Sequence, residues 1–147
     1  MNVNNYLDNI AQPIQGVAKW LLRLPLGMVF ITHGYTKLGY VTALIQNQPV
    51  EGFSNMLAQT GIPLPGLTAA LVCLGEIGSG IGIILGGLLG AKLGHLVTRL
   101  SGGAILVIMI GAFSIAHSDW LWTMQAIDSQ QGLLITLGTY FAIKGNN

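Results

Sequence analysis

The sequence predicts an all-α fold, a polytopic membrane bundle of four helices with both termini cytoplasmic, built as one transmembrane domain over residues 1–147. Three observations predict it. Hydrophobic residues make up 52% of the chain and charged residues only 7%, where an ordinary soluble domain carries about 25% charged. A soluble fold so poor in charge could not cover its surface with polar groups. The mean hydropathy of +0.64 agrees, and the apolar residues gather into runs of membrane-spanning length. Finally, the basic residues fall mainly at one set of run ends, which orients the bundle.

The elements follow in order. The opening sixteen residues are polar and contain no Lys or Arg, so they lack the basic region of a secretory leader. No small-residue cleavage site follows, and the N-terminus is expected to be retained. Crossing ~30 Å of hydrocarbon takes about 20 apolar residues at 1.5 Å each. The first span is expected at about 16–39, with Pro25 removing one backbone bond and kinking it near Arg23. An outer connection at 40–65 follows. Phe53, Met56 and Leu57 lie there at helical spacing, followed by the stiff segment Gly61-Ile62-Pro63-Leu64-Pro65. It reads equally as a short amphipathic helix on the membrane surface or as a plain loop. The second span is placed at about 66–89 and the third at 96–117, joined by a tight turn. The fourth, about 122–143, is interrupted by Asp128, Gln130 and Gln131.

Lys19 and Arg23 lie at the entry of the first span, Lys92 and Arg99 flank the central turn, and Lys144 follows the last span. Glu51, Asp119 and Asp128 fall on the other side, with Lys37 as the single basic exception. Positive residues favour the cytoplasm, so both ends and the central turn are expected inside. Trp20, Tyr35, Tyr40, Trp120 and Trp122 flank the spans as interface anchors. The net charge of +1 gives no footprint for nucleic acid. Cys73, the single cysteine, has no partner for a disulfide or a CxxC pair and reads as a small packing residue.

The informative residues are those that do not belong in lipid: Arg23, His33, Lys37, Glu76 and His117. A charge near the bilayer centre costs ~2.5–3.5 kcal/mol on insertion scales, so such residues normally face protein or water and find partners. Arg23, Phe30, Gly34 and Lys37 follow helical steps, and His33 lies beside them, so one face of the first helix must turn inward. His33 falls roughly 9 Å and Glu76 roughly 15 Å below the outer ends of their helices. Arg23 lies deeper, but its stem is long enough to climb toward Glu76. All five are therefore expected to form one polar cluster in the outer half of the bundle. That cluster reads either as a structural ion pair fixing helix register or as a pocket for a quinone headgroup. No HxxxH or ExxH spacing supports a metal, so none is expected.

Gly78, Gly82, Gly86, Gly90 and Gly94 recur every four residues, a spacing that lets another helix approach closely. Gly82 and Gly86 are expected against a protein helix, and Ile84 toward lipid.

Taken in order, these residues resemble a known family. Arg23-x-x-x-Gly27-x-x-Phe30-x-x-His33-Gly34-x-x-Lys37-Leu38 is similar to the first-helix signature of DoxX-type membrane proteins. Gly52-Phe53 with Gly61-Ile62-Pro63-x-Pro65 resembles their outer-loop pattern. Glu76-x-Gly78 resembles their second helix, and His117 the end of their third. The resemblance implies a four-helix membrane bundle in a prokaryotic cytoplasmic membrane, acting as an accessory subunit beside a respiratory or other redox enzyme. Quinone is the ligand it implies, with no covalently bound cofactor. No haem-ligand pair is convincing, so independent electron transfer is not expected.

Two functions compete on this evidence. One is a subunit that contributes to a quinone or quinol site, and the other is a non-catalytic scaffold or assembly protein for a larger complex. A proton-coupled transporter would rest on Glu76 alone, without the repeats or broken helices such proteins show.

Overall fold

The computed structural model describes residues 14–49, 52–116 and 129–146. Every regular element among them is helical. The elements are α1 (Gln15–Tyr35), α2 (Leu38–Ile45), α3 (Phe53–Gln59), α4 (Pro65–Leu88), α5 (Ala91–Ala116) and α6 (Gln130–Lys144). Helix α4 is the hub. It packs against α1 on one side and α5 on the other, and it also receives α2 and α3. Helix α6 lies along α5 and touches α1 lightly.

One core joins the four longer helices. Leu26 and Phe30 come from α1, Ile83 from α4, Ile105 and Met109 from α5, and Leu134 and Phe141 from α6. The opposite faces stay apolar and exposed, as at Leu71, Leu74, Ile81 and Leu85 of α4 and Leu100, Val107 and Ile110 of α5. A water-facing surface would not carry such ridges. Helices α4 and α5 are each long and apolar enough to cross a membrane.

Several boundaries differ from the sequence expectation. The first helical segment ends at Tyr35, and after a turn at Thr36–Lys37 the chain resumes as α2. Hydroxyls explain the break. Thr32 donates to the Met28 and Val29 carbonyls, and Thr36 donates to the His33 carbonyl at 2.8 Å. Such bonds compete with the helical ladder. The outer connection therefore begins after Ile45, and Phe53–Gln59 within it is a helix. Gly52 precedes that helix with φ +69°, a conformation that glycine adopts without a Cβ penalty. Pro65 opens α4 at its first turn, where a missing N–H is harmless.

Helix α5 starts at Ala91 rather than 96, because the turn after α4 is complete by Gly90. Lys92 and His95 thus lie in its first turns, where long polar side chains reach the interface. Among the described residues of the expected fourth span, a helix starts at Gln130, where the Ser129 hydroxyl accepts from the Gly132 N–H at 3.2 Å. That cap places Gln130 and Gln131 in the first turn. At 15 residues, α6 rises about 22 Å, short of a ~30 Å hydrocarbon layer. His117, Trp120, Trp122 and Asp128 lie outside the described residues, as do Glu51 and the first thirteen positions.

Candidate functional site

Glu76 sits on the buried face of α4, 3% exposed. Its partner comes from the α1–α2 break, which turns Lys37 toward α4. The Lys37 Nζ donates to Glu76 Oε1 at 2.6 Å and to Oε2 at 2.7 Å. Both carboxylate oxygens are satisfied by one ammonium, a geometry that compensates much of the desolvation of a buried charge. Lys37 also lies 5.7 Å from the centre of the Phe53 ring, within cation–π range.

The pair forms part of the wall of a cavity of about 280 Å³ between α3, α4 and α5, which is apolar apart from this pair and Thr68. Phe53, Met56 and Leu57 of α3 form one side, with Val72 of α4 and Val107 and Ile108 of α5 opposite. Small-molecule sites of about 300–1,000 Å³ are typically apolar with a few placed polar groups. This cavity lies near the lower bound and follows that pattern.

Tyr40 of α2 holds α3 in place. Its hydroxyl accepts from the Phe53 N–H at 2.8 Å, and its ring meets Phe53 edge-on, centres 6.1 Å apart. The sequence marks Tyr40 as an interface anchor and carries no usable sign of this cap. The only sequence signal is an aromatic residue thirteen positions before the start of a short amphipathic stretch, which is too common to use.

His33 is exposed on α1 and makes no hydrogen bond to Glu76 among the described residues. It lines a second cavity, of about 120 Å³, that reaches the Lys37–Glu76 pair from the other side, together with Gln130, Gln131 and Met109. His117 lies outside the described residues.

Arg23 does not join this cluster, so the single expected cluster divides in two. Arg23 is 2% exposed. Its Nη1 donates to the Ile83 carbonyl at 2.7 Å and to Thr98 Oγ1 at 3.1 Å. Its Nη2 donates to the Gly145 carbonyl at 3.4 Å and to Asn146 Oδ1. The guanidinium also stacks over Phe141, 4.8 Å from the ring centre. Distance explains the division. Glu76 and Ile83 are seven residues apart on α4 and so about 10 Å apart along its axis, and nearer oxygens satisfy the guanidinium first.

The glycines divide as well. A Cβ at Gly82 would collide with Ser101 Oγ, and one at Gly86 with Thr98 Oγ1, so both lie against α5. Around Gly78 and Gly90 the space is open. Helical geometry accounts for the split, since each four-residue step rotates a position by about 40°, and a long run cannot keep one direction. Gly80, outside the spaced set, makes the closest approach to α1. A Cβ there would lie 2.6 Å from the Gly27 carbonyl, and one at Gly27 would lie 2.8 Å from that of Gly80. Ile84, expected toward lipid, packs over Gly27, while Ile81 and Leu85 close to it are exposed. Cys73 is buried between the same helices, its thiol donating to the Gly34 carbonyl at 3.2 Å.

The family model for DoxX matches residues 18–118, which take in nearly all of α1 and α2 to α5. No curated protein and no solved structure matches the chain.

Proposed function

The chain belongs to the DoxX family, and from that premise we propose that it is an accessory membrane subunit of a redox complex that holds a quinone or quinol headgroup beside Lys37 and Glu76. In this reading four segments cross a prokaryotic cytoplasmic membrane, with both termini inside. The observation that carries the proposal is the Lys37–Glu76 pair, its carboxylate buried, in the wall of a mostly apolar cavity of about 280 Å³. Bulk lipid has no use for that ion pair. A ring with a carbonyl or hydroxyl oxygen does, because Lys37 can donate to it and Glu76 can accept from it. The chain's contribution is then binding and proton exchange, while a partner subunit supplies or removes the electrons.

The scaffold reading draws on the same pair, since both carboxylate oxygens are already satisfied and the bond ties the α1–α2 corner to α4. One experiment separates the two. The protein is purified in mild detergent, and the co-extracted quinone is quantified by chromatography. Wild type should carry quinone, and Lys37→Met/Glu76→Leu should fold but carry none. A quinone-free wild type bound tightly to a protein partner would favour the scaffold, and equal retention by the double variant would refute the assigned site.

A further inference from the structure

The end of the bundle opposite Glu76 is rich in basic side chains. Lys19 and Arg23 lie one turn apart on α1, while Lys92, His95 and Arg99 share a stripe on α5. Lys19, His95 and Arg99 reach the end of α6 and the residues just after it. Lys19 Nζ donates to the Asn146 carbonyl at 2.9 Å, and Arg99 Nε to the Ala142 carbonyl at 2.9 Å. His95 Nδ1 accepts from the Asn146 N–H at 3.4 Å. Lys144 lies in the last turn of α6.

No carboxylate answers these charges among the described residues, where the one acid is Glu76, already paired with Lys37. Arg23 itself is bound entirely by neutral oxygens. The carbonyl end of α6 contributes only about half a negative charge, against five Lys and Arg side chains. Exposed apolar residues border the same surface, among them Leu22, Leu89, Leu93, Leu96 and Ile143.

We propose that this end of the bundle is a binding site for an anionic phospholipid, its phosphate held by Lys19, Lys92, Arg99 and Lys144 around the closing turn of α6 and its acyl chains lying on the bordering leucines. Arg23 adds fixed positive charge from within and does not touch the lipid. The apolar border selects a lipid over a soluble anion, because a free phosphate gains nothing from it. Juxtamembrane basic clusters recognise anionic headgroups by the same balance of charge and apolar contact.

Native mass spectrometry of the purified protein, offered equal phosphatidylglycerol and phosphatidylcholine of matched chains, tests this. Wild type should retain phosphatidylglycerol preferentially. Each exposed cation removed should lower that preference about fivefold, so Arg99→Gln/Lys144→Gln should lower it about 25-fold. The charge-preserving Arg99→Lys/Lys144→Arg should keep most of it. Both positions are exposed, and circular dichroism confirms that the variants keep their helices. Equal retention of the two lipids by wild type would overturn the proposal, as would an unchanged preference in the neutralised variant. So would thermal protection by inorganic phosphate equal to that by phosphatidylglycerol, which would mark a soluble-anion site.

Discussion

Lys37 stands where α1 gives way to α2, and its ammonium has three protons to place. Two go to Glu76, so the third is available toward the Phe53 side of the cavity. Breaking such a pair from one side strands the other charge. Glu76→Ala should therefore cost about 3 kcal/mol in thermal unfolding, and Lys37→Ala at least as much, because Glu76 is the more deeply buried partner. Lys37→Met/Glu76→Leu should be close to neutral, since removing both charges also removes the desolvation cost. A double variant no more stable than either single would show that the pair is not the unit described. This contact was legible in the sequence, because a lone carboxylate in an apolar run has to find a cation. The partners of Arg23 were not. Two are backbone carbonyls, which carry no sequence signature, and Asn146 reads as an ordinary polar tail residue.

At the scale of elements, the first N–H of α3 is capped by the Tyr40 hydroxyl, and Tyr40→Phe removes it. The Phe53 N–H then loses its acceptor, at about 1 kcal/mol for a lost cap. Amide exchange in α3 should accelerate about fivefold while α4 is unchanged, and quinone retention should fall. Unchanged protection of α3 would show that the cap is dispensable. The helix seams make a second prediction. Gly80→Leu and Gly82→Leu should both abolish folded yield, the first against α1 and the second against α5, whereas Ile81→Leu between them should be mild. Equal yields across the three would remove the seams as contacts. Sequence periodicity located Gly82 and Gly86 but not Gly80, whose seam is completed by Gly27 on another helix. Pairing across helices is invisible to a period counted along one of them. Hydropathy located α4 and the body of α5 because lipid selects for apolar runs directly, but it set the start of α5 five residues late. The start of α6 was set by a Ser129 cap, which a hydropathy window does not register.

For the whole molecule, the proposed topology makes a direct prediction. Reporter fusions near Asn47 and Ser118 should report the outer side, and fusions near Lys92 and Asn147 the cytoplasm. A reversed pattern or an odd number of crossings would sink the model of four spans. The two ends of the molecule also divide its work, with the ion pair and its cavity at one and the cationic turn at the other. Arg23 gives that second end a dimension in time. Its oxygens come from α4, α5 and the turn after α6, and a ribosome makes these in that order. Ile83 and Thr98 are thus synthesised before Gly145 and Asn146 emerge to supply the other two acceptors. A chain stopped at Lys144 keeps the six described helices but lacks both of those last acceptors, so it should unfold at a lower temperature than the full chain.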